Sequence, residues 1–247
     1  MGAARLRAES RPAFYALAPG SWRDYVTLLH PPYTLWHLSY AAIGAALATD
    51  FELERLGAAL AAFALGMGVG AHALDELQGR PLATRIPRRM LWTLAVVSIA
   101  AAVAIGVASA LAWTLWLLPL VAFGGFIVCA YNLELWGGRF HGDLWFGIAW
   151  GALPVLAAYV VMAGSVSVEA ALAAAAAVLL SLGQRSLSTP VRAMRRRVRA
   201  VTGTIEYDDG TREELSRESL SAAPEHALRL LAFGLPLLAA ALVLVRL

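Results

Sequence analysis

The chain has 247 residues, of which 60% are hydrophobic and 15% charged, and its mean hydropathy is +0.65. Charged residues make up about a quarter of a typical water-soluble domain. The composition therefore excludes an ordinary soluble domain and indicates an integral membrane protein. The pI of 9.3 comes from arginines that lie between the apolar runs, which favours lipid headgroups over nucleic acid as the partner.

Charge-free runs, taken in chain order, predict the membrane spans. A spanning helix needs roughly 20 apolar residues. The run 90–133 is long enough for two spans with a turn near Trp113–Pro119, so we predict seven spans, the last two at about 168–183 and 228–245. The fold class is all-α, a polytopic transmembrane helical bundle. The charge-free runs are 25–49, 56–74, 90–133, 144–168, 170–184 and 230–245.

The arginines predict the orientation of these spans. With the N-terminus inside, all of the 20 arginines except Arg55 and Arg246 fall on one face. The positive-inside rule makes that face cytoplasmic and places the C-terminus outside. We therefore expect an integral protein of a prokaryotic plasma membrane.

The same reading divides the chain into a cytoplasmic tail, residues 1–24, and one transmembrane domain, residues 25–247. A cytoplasmic insert is predicted at 184–225. Within it, Val201–Tyr207 followed by Asp208-Asp209-Gly210 predicts a hairpin with a tight turn. Ser221 and Pro224 then predict the start of the last helix.

A first polar cluster ends the second predicted span. His72, Asp75 and Glu76 stand at i, i+3 and i+4, so a helix projects them from one face. This geometry suits a divalent cation or a general acid and base, and we take all three as candidate catalytic residues, with Asp75 and Glu76 as metal ligands. The alternative is a helix end hydrated among lipid headgroups.

Two further polar clusters follow the fourth and sixth spans. The second cluster, at 131–143, is equally well explained as a plain connecting loop. In the third cluster, at 183–192, hydroxyls and arginines form a candidate phosphate-binding site. The basic residues at Arg195–Arg199 also suit a helix that leaves the membrane among lipid headgroups. His30 and His37 are secondary candidates, and Trp145 and Trp150 are candidates for lining an apolar cavity. The candidate substrate-binding residues are Arg80, Tyr131, Asn132, Arg139, Asp143, Gln184, Arg185, Ser188 and Arg192.

The order of these features resembles the UbiA superfamily of intramembrane prenyltransferases over roughly residues 28–192. The resemblance begins at Pro32-Tyr33-Thr34-Leu35-Trp36 and includes Arg80-Pro81-Leu82 after the first polar cluster. It continues from Tyr131-Asn132 through Gly142-Asp143-Leu144 to Leu153-Pro154-Val155.

The resemblance implies a helical bundle that transfers an isoprenyl group from an isoprenyl diphosphate to a small, often aromatic, acceptor. In that family two aspartate-rich motifs hold magnesium. The first motif, N-D-x-x-D-x-x-x-D, falls here on Ala71, His72, Asp75 and Gly79, so only Asp75 matches. The second, D-x-x-x-D, falls on Gln184 and Ser188. We therefore expect this site to hold fewer magnesium ions than the family's site does. Arginine side chains are expected to bind the phosphates instead.

Two alternatives stay open at the level of sequence. One is a related enzyme with different chemistry, such as terpenoid cyclisation or a histidine-containing metal site that uses His72, Asp75 and His141. The other is a non-catalytic membrane protein that binds an isoprenoid or another lipid on the same scaffold.

Overall fold

The computed structural model describes residues 11–247, which fold into a bundle of long helices with one small hairpin. The helices are α1 Trp22–Leu28, α2 Pro31–Leu47, α3 Leu53–Leu77, α4 Arg88–Ala112, α5 Leu115–Asn132, α6 Asp143–Ala163, α7 Val168–Arg196 and α8 Arg217–Leu244; the strands are β1 Thr204–Glu206 and β2 Arg212–Glu214.

Within the described residues, six helices, α3 to α8, are long and apolar enough to cross a membrane. The remaining candidate, α2, has 17 residues, which is the lower end of the range for a spanning helix (about 17–25 residues). The predicted helical bundle is thus confirmed, and its six long apolar helices suit an integral membrane protein. The count of seven spans stays a prediction, because it depends on α2.

Helix α2 lies at the centre of the bundle, where it packs against α6 and α8. Its contact with α6 is so close that a Cβ atom added at Gly44 would lie 2.2 Å from the Val155 carbonyl oxygen. Small residues allow backbones to approach in this way, and membrane helices use them because lipid provides no hydrophobic force between helices. Gly44 therefore fixes the distance between α2 and α6.

Arg55 and Arg246 are predicted to lie at the opposite end of the bundle from the other arginines, and each of them caps the end of a helix. Arg55 donates to the carbonyls of Val161 and Met162 at 3.3 and 2.9 Å, near the last residue of α6. Arg246 donates to the Ala46 carbonyl at 2.6 Å, near the end of α2. The last carbonyls of a helix lack intrahelical partners and carry partial negative charge, so these contacts stabilise the end of the bundle that is poor in arginine.

The structure corrects the boundaries predicted for the insert 184–225. Helix α7 does not end near residue 183 but continues to Arg196, with Pro190 inside it. Helix α8 begins at Arg217, and Pro224 lies within it; the start is set by Ser216, whose side chain accepts from the Ser219 amide in a capping box. Only 197–216 lies outside these helices, and the hairpin predicted there is confirmed by the pairing of β1 with β2.

Two of the long helices contain π-helical segments. Residues Ala64–Ala71 of α3 are π-helical and end directly before His72. Residues Gly147–Ala152 of α6 are π-helical and include Trp150. Such segments are rare in proteins overall, but those that occur are often found at functional sites. Here both adjoin residues of the candidate site.

The α2–α6 contact yields a stability prediction. Gly44→Ala should lower the free energy of unfolding by about 1–3 kcal/mol, because the added methyl group must push two backbones apart. Gly57→Ala, on the exposed side of α3 where an added Cβ meets nothing within 4 Å, is the matched control and should be neutral or stabilising by up to about 1 kcal/mol. Thermal unfolding in detergent measures both; equal midpoints would contradict the close approach.

Candidate functional site

The arginine-rich end of the bundle holds an acidic side chain that has no partner. The Asp75 carboxylate makes no hydrogen bond or ion pair within residues 11–247, and the residue is half-buried at the end of α3. The positive charges that act on it are those of Arg196 and Arg192. Both arginines are exposed.

Helix α7 contributes a second part of the cluster through Arg185. Its guanidinium donates a short hydrogen bond to the Tyr131 hydroxyl and forms an ion pair with Asp143 at 2.5 Å. It also lies over the ring of Phe146, 5.3 Å from the ring centroid. Arg185 thereby joins α5, α6 and α7.

Aromatic rings form a wall behind Arg185. Tyr131 lies 4.6 Å from Trp150 between ring centroids, and Phe146 stacks on Trp150 at 5.8 Å with an interplanar angle of 9°. The carbonyl oxygen of Trp150 accepts a hydrogen bond from His37 Nδ1 at 2.9 Å. The wall is therefore fixed both by ring packing and by a contact to α2.

Beyond this wall lies an apolar cavity of about 120 Å³ between α3, α4, α5 and α6. Trp150 belongs to both the wall and the cavity lining, as predicted for this residue, and the lining includes Gly66, Met67, Gly106 and Gly125. The lining residues of α6 extend to Val161, so the cavity runs roughly 16 Å along that helix at its usual rise. Its shape and polarity suit a hydrocarbon chain.

Three histidines of the site share one arrangement. His37, His72 and His141 each bind a backbone carbonyl through Nδ1, at 2.9, 3.0 and 3.0 Å respectively. A carbonyl only accepts, so Nδ1 carries the proton and Nε2 of the neutral ring keeps a lone pair. His72 and Asp75 therefore present a basic nitrogen and a carboxylate one helical turn apart.

Residues 11–17 of the predicted N-terminal tail form a segment, the strap, that lies across the arginine-rich end of the bundle. Arg195 donates to the Arg11 carbonyl and Arg196 to the Pro12 carbonyl, both at 3.2 Å. Tyr15 bonds to His30 Nδ1 at 2.7 Å. Residues 1–10 of the predicted tail lie outside the described residues, but 11–17 pack onto the bundle.

The strap brings the pair of Tyr15 and His30 next to the polar cluster. The His30 ring stacks on His72 at 4.1 Å between centroids. Burial, together with His72, Arg192 and Arg196, lowers the pKa of His30 well below its usual value. Burial likewise raises the pKa of Tyr15. Both groups are therefore neutral at physiological pH.

Glu76 and Arg80 take structural roles in place of the predicted ones. Glu76 is fully buried, and its carboxylate accepts from the amides of Leu82 and Thr84 and from the Thr84 hydroxyl at 2.8–3.0 Å. Arg80 Nη1 donates to the Thr84 and Ile86 carbonyls at 3.1 and 2.7 Å. Because these bonds hold the loop after α3, the geometry does not favour Glu76 as a catalytic residue or metal ligand, nor Arg80 as a substrate ligand.

The remaining candidate substrate-binding residues differ in their hydrogen-bond partners and in their exposure. Asn132 donates to the Val128 carbonyl at 2.7 Å within its own helix, and Ser188 donates to the Arg185 carbonyl at 3.2 Å. Arg192 donates to the Thr189 hydroxyl at 3.2 Å. Arg139 is exposed, and its side chain makes no hydrogen bond within the described residues. Gln184 faces the interior of the bundle.

Three participants were not predicted from the sequence. Phe146 gave no signal beyond being one more aromatic residue in a span. Tyr15 lies in a segment that looked like a free tail. Arg196 looked like part of a headgroup-facing collar, and its effect on Asp75 depends on the unpredicted continuation of α7.

Comparison with protein families, curated proteins and solved structures finds no match to this chain. The resemblance to the UbiA superfamily accordingly stays a prediction, and the arguments below depend on the geometry of the site.

The structural role of Glu76 is testable by stability. Glu76→Ala should lower the free energy of unfolding by about 3 kcal/mol or more, because it leaves three donors unmet and each buried donor without a partner costs roughly 1–3 kcal/mol. Gln78→Ala, two residues along and exposed, is the control and should change the midpoint little. A Glu76→Ala protein as stable as the control would return Glu76 to the list of candidate ligands.

Proposed function

We propose that the protein binds an isoprenoid phosphate or diphosphate in the bundle and transfers its isoprenyl group to a small acceptor. The observation that carries this proposal is the position of Trp150, which separates an arginine-bearing polar cluster from an apolar cavity. A molecule with an anionic head and a hydrocarbon chain matches both sides of this residue.

The head group is assigned to the arginines of α7. Arg185 and Arg192 lie seven residues apart, which is two helical turns, so they stand on one face of the helix. Guanidinium groups form bidentate, charge-assisted bonds with phosphate oxygens. Arg185 already holds two oxygen atoms, those of Tyr131 and Asp143, and the Asp143 side chain is 75% exposed, so a phosphate can replace it at small cost.

The chain of the ligand is assigned to the apolar cavity. Its walls are glycines and apolar side chains, including the rings of Phe63 and Trp150, and Ser109 is the one hydroxyl among the lining residues. Hydrocarbon buried there gains roughly 25 cal/mol per Å² of apolar surface removed from water. An anionic molecule without a chain would leave the cavity unfilled, which favours an amphiphile over free phosphate.

The transfer step requires a leaving group and a base. The bond between C1 of the isoprenyl group and the phosphate oxygen breaks, and the arginines take up the charge that develops on the leaving diphosphate. The acceptor forms the new bond to C1 and loses a proton. His72 Nε2 is the group that receives this proton, since its Nδ1 proton is held by the Gly68 carbonyl, and Asp75 stabilises the resulting cation.

The site has ligands for fewer magnesium ions than two complete aspartate-rich motifs would hold. No group of three or more metal-ligating side chains is present within residues 11–247, and Glu76 is occupied by the loop. Asp75 is the one carboxylate of the first polar cluster that is free to hold an ion, and magnesium is commonly held by one or two carboxylates together with substrate phosphates. When bound, the ion would supply additional positive charge to the phosphates.

A second candidate function is binding of the same lipid without turnover. It is favoured by the strap, whose carbonyls occupy Arg195 and Arg196. This alternative predicts saturable binding of farnesyl diphosphate by the purified protein and no release of diphosphate with any acceptor.

Asp75 and Arg185 give separable tests of the proposal. In nanodiscs, Asp75→Asn should reduce diphosphate release from farnesyl diphosphate by roughly 10²-fold, because the His72 base loses the carboxylate that stabilises its cation. Arg185→Gln should instead weaken binding of farnesyl diphosphate by about tenfold, the effect of losing about 1.4 kcal/mol of a charge-assisted bond. Binding by calorimetry and product analysis by mass spectrometry measure the two effects.

The control is Asp209→Asn, which removes a carboxylate from the exposed turn of the hairpin. It should leave binding and turnover unchanged. Full activity of Asp75→Asn would remove Asp75 from the mechanism. Equal binding of farnesyl diphosphate by wild type and Arg185→Gln would remove the anion site from α7.

A further inference from the structure

The inner face of α7 carries three buried polar side chains one turn apart. Ser181 bonds to the Tyr40 hydroxyl of α2 at 3.4 Å, and Ser188 donates to the Arg185 carbonyl at 3.2 Å. Gln184 lies between them and is 5% exposed. Its Oε1 atom is buried without a hydrogen-bond partner among the described residues.

An unpaired buried amide is unusual because the great majority of buried polar side-chain atoms have a partner. Leucine or methionine would fill the same space without leaving an amide group unpaired. The two neighbouring serines are satisfied, so the unpaired amide is not a general property of this helix face. The arrangement therefore points to a group that comes from outside the protein.

The chemistry of the unpaired atom restricts what that group is. An amide oxygen only accepts hydrogen bonds, so it opposes a phosphate and requires an N–H or O–H donor. Arg185 is the next residue, and Arg192 lies further along the same helix. These two cations disfavour an ammonium ion, which leaves a neutral molecule with a hydroxyl group.

We propose that Gln184 accepts a hydrogen bond from the hydroxyl group of a neutral second ligand, which binds beside the anion site. This inference rests on the proposed function in one respect, since it makes that ligand the acceptor of the isoprenyl group. Gln184 and Arg185 project about 100° apart around α7, so the two sites adjoin without sharing a side chain.

Gln184 lies on the side of α7 that faces the neighbouring helices. Helix α7 packs on the π-helical segment of α6 and on α2. Ser181, one turn away, contacts α2 through Tyr40, and Arg185 contacts Phe146 of α6. The amide is thus directed into the bundle at the level of the aromatic wall.

The experiment compares two probes that differ only in the donor, 1-naphthol and 1-methoxynaphthalene. Each is titrated calorimetrically into the full chain in nanodiscs, and the titration of empty nanodiscs is subtracted. Wild type should bind the naphthol at least tenfold more tightly than the ether. In Gln184→Leu the difference should fall below threefold, while Ser181→Ala should retain it.

Gln184→Met provides a second variant of matched length. Both variants should unfold at or above the wild-type temperature, because the amide they remove has no partner. A lower midpoint in both would show that the amide is already bonded and would overturn the proposal. Equal binding of the two probes by wild type, or a tenfold difference that persists in both variants, would also overturn it.

Binding of farnesyl diphosphate distinguishes this inference from the proposed function. Gln184→Leu should bind it as wild type does, since the arginines are unchanged. If wild type fails to bind farnesyl diphosphate but discriminates between the probes through Gln184, the proposed function fails and the hydroxyl site stands.

Discussion

The contact of α2 with α6 at Gly44 sets the geometry on which the site depends. With no side chain between Gly44 and the Val155 carbonyl, the two helices approach more closely than ordinary packing allows. This distance lets His37 of α2 reach the Trp150 carbonyl of α6. The bond falls within the π-helical segment of α6, so the position of the aromatic wall follows from one glycine near the centre of the bundle.

Seven of the arginines divide into three groups according to what their guanidinium groups contact. Arg55, Arg80 and Arg246 bind backbone carbonyls at helix ends or in a loop. Arg195 and Arg229 share the carboxylate of Glu225. Arg185 and Arg192 have only exposed or neutral side-chain partners. An anion can therefore replace the present partners of Arg185 and Arg192 at a small cost in free energy. The arginines that bind backbone carbonyls or Glu225 keep their contacts.

Much of the architecture followed from the sequence because lipid imposes simple rules. Charge-free runs located the helices, and the turn at Trp113 and the hairpin at β1 and β2 were predicted. The roles of Asp75 and Glu76 were not distinguished, because adjacent carboxylates look alike until a loop folds onto one of them. The extension of α7 was missed because polar residues and Pro190 in a helix resemble a loop.

Other features depend on contacts that no local pattern encodes. A π-helical segment has no reliable sequence signature, and His72 owes its position to one. The bonds from Arg195 and Arg196 to residues 11 and 12 join parts of the chain separated by 184 positions. The unpaired state of Gln184 is a property of its neighbours in space, which the sequence around it does not reveal.

The strap has a consequence for how tightly an anion is held. Arg196 is bound by a carbonyl of the same chain, so the competitor of any phosphate is tethered and present at a high effective concentration. A ligand that needs Arg196 must first displace it, and its apparent affinity is reduced by the fraction of molecules in which the strap is bound. The affinity of a ligand that contacts Arg196 is thus set partly by residues 11 and 12, which lie far from Arg196 in the sequence.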